Sequence, residues 1–311
     1  MKSSNLRIEE IVKLQARSQN ITTVLVALSG GADSITAAYA LKAAGLDVLA
    51  AHCNFHLREE ESDRDMHFVE DFCFKYEIPI VIKEFDTKSY LKEHKGVSVE
   101  MACRDLRYNW FKELLVEYPY QRLVTGHNAD DNIETFFLNL LRGAGSRGLK
   151  GMENDNGYIW RPLLFCHRME ILEYLRERNL NYVVDSSNLK EDYRRNFLRN
   201  KIIPLLKSEW KGFDAALDKS IQNLNTENRI VEKSLSRVLP EGELPLPVKI
   251  VLDFPAPLLL IKRYIEPLMP FSTTPEEVLA AIRANKPHIR AWKLKKGTLV
   301  LRNKKLFLQT D

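Results

Sequence analysis

The 311-residue chain has only four cysteines, Cys53, Cys73, Cys103 and Cys166, and no two of them form a Cys-x-x-Cys pair. Zinc ribbons, iron–sulfur sites and redox dithiols therefore have no support, and the four read as buried free thiols. No apolar run reaches the ~18 residues that a membrane span needs. The opening stretch MKSSNLRIEEIVKL has a helical period with charges throughout, unlike a signal peptide, so no membrane partner and a cytoplasmic location are expected. Low-complexity tracts and internal repeats are also missing. With 45% hydrophobic and 28% charged residues the chain is globular, long enough for two domains or one with an appendage. Acidic residues are missing altogether between positions 279 and 310, where nine Lys or Arg residues fall. The net charge is only +4, so this one-sign segment is local, and it suggests a phosphate-rich macromolecule as partner. Residues 190–211 lean the same way, with seven basic residues against three acidic ones.

What is present begins with VALSGGADSITAAYA at 26–40. A strand-forming run passes through two glycines straight into a helical pattern. Glycines there allow positive φ and let bare N–H groups approach a ligand, and the first helical N–H groups carry the positive end of the helix dipole. Ser29, Gly30, Gly31, Ala32, Asp33 and Ser34 thus make a phosphate cradle. Asp33 would repel a phosphate unless a divalent cation stands between them, which points to Mg²⁺ with a polyphosphate. An ordinary N-cap after a glycine turn is the plainer alternative.

The runs TTVLVAL, DVLAAHC, IPIVIKEF and QRLVTGH read as strands, and 33–44, 61–76 and 98–117 as amphipathic helices. This alternation predicts an α/β fold with a doubly wound, mostly parallel sheet, whose ligands bind at the carboxyl ends of the strands. Helices follow at 168–178, 192–206 and 210–236. A Pro-rich break at 239–257 precedes strands joined at 295–297 and 303–304, a small basic β-hairpin module.

Ser-Gly-Gly-x-Asp-Ser after a first strand resembles the pyrophosphate loop of the ATP-pyrophosphatase (PP-loop) superfamily; no Walker lysine follows it. Over 20–206 the chain further resembles the tRNA(Ile)-lysidine synthetase family. The markers are HCNFHLR (52–58), SVEMACRDLRYNWF (98–111), TGHNADDNIETFFLNLLRGAGSRGLKGM (125–152), RPLL (161–164) and DSSN with YRRNFLRNKIIPLL (185–206). The family usually has Asn-His-x-Leu-Arg in the first marker. Here Phe55 takes the His place, so no role is carried over to His56.

The resemblance implies a Rossmann-like PP-loop ATPase domain at 1–206 and a helical linker subdomain at 207–311 ending in the basic hairpin. The family's further C-terminal tRNA-binding domain is expected to be absent. It implies ATP and Mg²⁺ as cofactors, the CAU-anticodon isoleucine tRNA and free L-lysine as partners, and it allows a homodimer. The implied reaction joins lysine to C2 of the wobble cytidine through an adenylated base. Another adenylating tRNA modifier and an ATP-regulated RNA-binding module are the alternatives.

By spacing, His127 and Asp131 share one face at a helix start, with Asp130 and Glu134 beside them, a geometry suited to a metal, a ribose or an amine. Arg104, Arg107 and Tyr108 share a helix side, as do Arg195 and Arg199, and arginine forks bind phosphate oxygens. The resemblance carries catalytic roles to Asp33, Arg104, His127, Asp131 and Arg199, and secondary ones to Arg107, Asp130, Glu134 and Arg195. His127, Asp131 and Asp33 stay open as the base. The glycine-rich stretch 140–152 reads as a mobile basic loop able to approach a nucleic-acid backbone.

Overall fold

A computed structural model describes residues 7–58, 60–184, 193–239, 245–266, 274–284, 289–294 and 297–310. By compactness the chain divides into Met1–Gln222 and Asn223–Asp311.

The first unit is built on five strands, β1 (Thr23–Ala27), β2 (Asp47–Asn54), β3 (Ile80–Glu84), β4 (Arg122–Val124) and β5 (Ile159–Trp160). They lie in the order β3-β2-β1-β4-β5, and every neighbouring pair is parallel. Central strands buried on both faces read as continuous apolar runs, and Val24, Leu25 and Val26 of β1 are all fully buried. Val24 and Val26 pack under α1 (Ile8–Ser18), α2 (Ala32–Ala43), α3 (Glu60–Lys75) and α8 (Arg168–Glu177), through residues such as Val12, Ile35, Val69 and Ile171. On the opposite face Leu25, Leu49 and Leu123 meet Trp110, Phe111 and Leu114 of α5 (Val99–Glu117). The doubly wound parallel sheet is as expected, and β5 is an addition too short to announce itself. Chain order reverses between β1 and β4, the switch point where such sheets take ligands.

Between these elements lie α4 (Thr87–Glu93), α6 (Ala129–Leu141) and α7 (Ser146–Leu149). Instead of a free loop, the glycine-rich stretch folds back on α6. Asn139 donates to Gly148 O at 2.8 Å, and Met152 N donates to Asn132 Oδ1 at 2.7 Å. A Cβ on Gly151 would lie 2.4 Å from that same Asn132 oxygen, so the close return needs a glycine.

The helix expected at 192–206 is α9 (Tyr193–Phe197), a π-helical turn over Leu198–Ile202, and α10 (Ile203–Glu209). Pro204, which has no N–H to donate, stands in the first turn of α10 just after the irregular turn. Leu198 and Ile203 pack with Ile133 of α6 and Phe213 of α11 (Phe213–Ser236). The DSSN marker at 185–188 lies outside the described residues.

In the second unit α12 (Val248–Asp253), α13 (Pro257–Ile265) and α14 (Pro275–Arg283) accompany an antiparallel sheet. Its strands are β6 (Leu246–Pro247), β7 (Arg290–Leu294), β8 (Gly297–Arg302) and β9 (Lys305–Thr310), in the order β6-β9-β8-β7. The expected hairpin is thus part of a larger sheet, because the Pro-rich break contributes β6 and helices rather than a bare linker. Leu246, Val251, Leu260, Ile261, Leu299 and Leu306 form its core. Asn303 and Lys304, at φ +51° and +58°, make the left-handed turn that suits twisted strands. Lys286, Lys295 and Lys296 lie outside the described residues. Among the described residues no helix is long and apolar enough to cross a membrane.

Candidate active site

The loop from β1 into α2 lies at the carboxyl edge of the sheet. Gly30 has φ +87°, and its carbonyl accepts a hydrogen bond from Val183 N at 2.9 Å, which holds the turn down. A Cβ at Gly30 would press on Val69 and Val183 at 3.3 Å. Ser34 Oγ donates to Gly31 O at 2.9 Å and accepts from Ser29 N at 3.2 Å, so the loop is folded on itself. With Gly31 as N-cap, the N–H groups of Ala32, Asp33 and Ser34 start the helix without intrahelical partners. The arrangement is a cradle for an anion.

Asp33 stands in that first turn with its side chain 31% exposed. Asn128 Nδ2 donates to its Oδ1 at 3.1 Å, and Arg168 Nη1 lies 2.5 Å from its Oδ2. The β4–α6 loop thus reaches across to the cradle, backbone against backbone. A Cβ on Gly126 would lie 2.9 Å from the Asp33 carbonyl carbon and 3.0 Å from Ser34 N.

A cleft opens beside the cradle, lined by Ser29, Asp33, Arg104, Arg107, Tyr108 and His127 among others. Arg104 stacks on the Tyr108 ring, 4.8 Å from its centroid, and Arg107 lies over Phe55 at 5.4 Å. His127 Nδ1 and Thr125 Oγ1 are hydrogen-bonded at 2.8 Å. Burial, with Arg161, Arg195 and Arg104 nearby, pushes the imidazole down to about 4, so His127 is neutral at physiological pH.

His127 and Asp131 do not share a helix face. The helix begins at Ala129 with Asn128 as N-cap, so His127 precedes it. Asp131 completes the capping box, accepting from Asn128 N at 3.1 Å. Its other oxygen meets Arg199 at 3.2 Å and Arg195 at 3.4 Å. Burial and the Glu134 carboxylate still carry Asp131 up to about 6, against the Asn128 N–H and Arg195. The side chain of Glu134 is only 3% exposed and takes the Nε of Arg195 at 2.7 Å and of Arg199 at 2.5 Å. Asp131, Glu134, Arg195 and Arg199 form one charge-balanced cluster. Asp130 points elsewhere, to Lys207 at 2.9 Å and the backbone N–H of Arg168 at 2.7 Å. Burial works against its charge, but bonds from His167, Arg168 N–H and Lys207 outweigh it and hold the carboxyl well below its ordinary range.

Residues 3–206 match a family described as a PP-loop domain. A tRNA(Ile)-lysidine synthase of Chlorobaculum tepidum is 38% identical over 248 residues, covering 77% of this chain and 73% of that protein. The chain belongs to the tRNA(Ile)-lysidine synthase family of PP-loop proteins. The synthase of Bacteroides thetaiotaomicron is 41% identical over 250 residues, 79% of this chain and 58% of its own length. The chain therefore spans little more than half of this curated relative. A U34-tRNA thiolase of Methanococcus maripaludis, solved with its [4Fe-4S] cluster, superposes with a TM-score of 0.58 at 20% identity. It covers 70% of this chain and 78% of that one, a likeness of fold.

Within this family frame, Phe55 stacks on Phe85 at 5.1 Å and forms part of the wall under Arg107. His56, at φ +49°, turns to Glu84 at 2.6 Å. Gly126, Asn128 and Arg168 were not singled out from sequence. Asn-x-x-Asp ahead of an apolar run is a readable capping signal that finds Asn128. The Arg168 contact to Asp33 leaves no local trace.

Proposed function

We propose that the chain attaches free L-lysine to C2 of the wobble cytidine of the CAU-anticodon isoleucine tRNA, using ATP. The reading rests on the phosphate cradle and the arginine-lined cleft meeting at one sheet edge in a member of the lysidine synthase family. The cytidine C2 carbonyl oxygen attacks the α-phosphate of ATP, pyrophosphate leaves, and an adenylated base forms. The lysine ε-amine then attacks C2 and displaces AMP.

In this reading the cradle N–H groups bind the departing pyrophosphate, and Arg104 and Arg107 offset negative charge that develops in the cleft. Asp33 would hold Mg²⁺, which needs only one or two protein carboxylates beside substrate phosphates, and a carboxylate next to open N–H groups fits that requirement. Bound there, the ion would supply charge neutralisation at the phosphates. For the second step the amine must be neutral. Of His127, Asp131 and Asp33, the first and last line the cleft, whereas both oxygens of Asp131 are held by Asn128, Arg195 and Arg199; the neutral imidazole of His127 is the group that meets the amine.

Residues 1–206 carry the chemistry and 207–311 dock RNA. Arg290, Lys293, Arg302, Lys304 and Lys305 are all exposed on or beside β7–β9, and they supply phosphate contacts. The cytoplasm is the compartment that such a tRNA-modifying step requires.

Pyrophosphate release tests the reading. It is expected only when tRNA is present and to drop by on the order of 10²-fold or more in Asp33→Asn. Release at the same rate without tRNA would contradict it.

A further inference from the structure

Arg168 has no part in the reaction as drawn above, yet its guanidinium is the group nearest the cradle's only carboxylate, Nη1 lying 2.5 Å from Asp33 Oδ2. The root of the side chain is fixed. Its backbone N–H donates to Asp130 Oδ2 at 2.7 Å, and Lys207 holds the other oxygen of Asp130 at 2.9 Å. The tip is not fixed in the same way, since the side chain is 41% exposed.

Asp33 belongs to the same helical turn whose open N–H groups would seat a phosphate. An ionised carboxylate there repels that phosphate unless something positive offsets it. In the free protein the offset is Arg168. A cation engaging the carboxylate would take over that role and leave a guanidinium within side-chain reach of the seated phosphates, whose oxygens it can grip as a fork.

We propose that Arg168 is an exchangeable counter-charge, neutralising Asp33 in the free protein and moving to the nucleotide phosphates when Asp33 is otherwise engaged. This rests on the reading that the cleft binds ATP.

The test is calorimetric titration of the full chain with α,β-methylene ATP, with and without Mg²⁺. The proteins are wild type, Arg168→Gln, Asp33→Asn and the double variant, each checked for an unchanged melting temperature. With Mg²⁺, Arg168→Gln should bind the analogue roughly 10- to 100-fold more weakly, the loss of one charge-assisted contact. Without Mg²⁺, Asp33→Asn frees Arg168 and should bind more tightly than wild type; the double variant should lose that gain. Arg168→Lys should recover part of the affinity.

Equal or tighter binding by Arg168→Gln with Mg²⁺, or a gain in Asp33→Asn that persists in the double variant, would overturn the proposal, since Arg168 would then only cover Asp33. Failure of the wild type to bind the analogue at all would instead remove the ATP reading on which the proposal stands.

Discussion

Arg199 Nε donates to Glu134 Oε1 at 2.5 Å, an exposed arginine meeting a glutamate whose side chain is almost wholly buried. Arg195 serves the other oxygen. Removing one guanidinium leaves Glu134 a partner, so Arg195→Ala and Arg199→Ala should each cost about 1–3 kcal/mol. Removing both leaves a buried unpaired charge, and the double variant should cost more than the sum of the singles. Urea denaturation of the four proteins measures this. A double variant that costs no more than the sum of the singles would mean that the two arginines do not share Glu134 as a coupled pair.

Protonating His127 is disfavoured in the folded protein, where its pKa is near 4 against 6.5 unfolded. Its contribution to stability is therefore full above about pH 6.5 and is lost as pH falls towards 4. Asp131, raised from 3.8 to about 6, gives the opposite slope: its contribution is full below 3.8 and is lost as pH rises through 6. In His127→Gln the first slope disappears, so stability between pH 4 and 6 should fall more steeply with rising pH than in wild type. Denaturation midpoints across that window check it, and an unchanged profile would place His127 in water.

Gly126→Ala should destabilise the first unit by roughly 1–3 kcal/mol, because the new methyl meets the backbone of Asp33 and Ser34, which cannot step aside. Gly145→Ala, with nothing within 4 Å of the added carbon, should be nearly neutral. A melting curve for each variant suffices, and similar shifts in both would contradict the close approach.

Much of this was legible beforehand. The switch from strand to helical period across Gly30 and Gly31 located the cradle, and continuous apolar runs located four strands. Ile159 and Trp160 form a strand only because β4 lies beside them, a tertiary fact with no periodicity behind it. The His127–Asp131 pairing failed because a spacing of four was read without its N-cap. Asn128 and Asp131 start the helix after the histidine. The Pro-rich break looked like a linker because prolines punctuate it. Yet Pro247 caps one helix and Pro257 begins another, where a missing N–H costs nothing.

Cys53 lines the cleft, but burial pushes its thiol up to about 12 despite Arg107 beside it, so it is not a nucleophile near neutrality. Cys53→Ser should keep most activity, and iodoacetamide at pH 7 should leave Cys53 unmodified by mass spectrometry. Loss of turnover in a stably folded Cys53→Ser protein would favour sulfur chemistry over lysine ligation.

The proposed reaction attaches lysine to one tRNA. The most direct measurement incubates the protein with ATP, Mg²⁺, labelled lysine and total bacterial tRNA, then locates the label by nuclease digestion. Label is expected in the CAU-anticodon isoleucine tRNA alone, at the wobble cytidine, with pyrophosphate and AMP formed in step with it. Adenylation of tRNA without lysine incorporation, or label spread over many tRNAs, would contradict it.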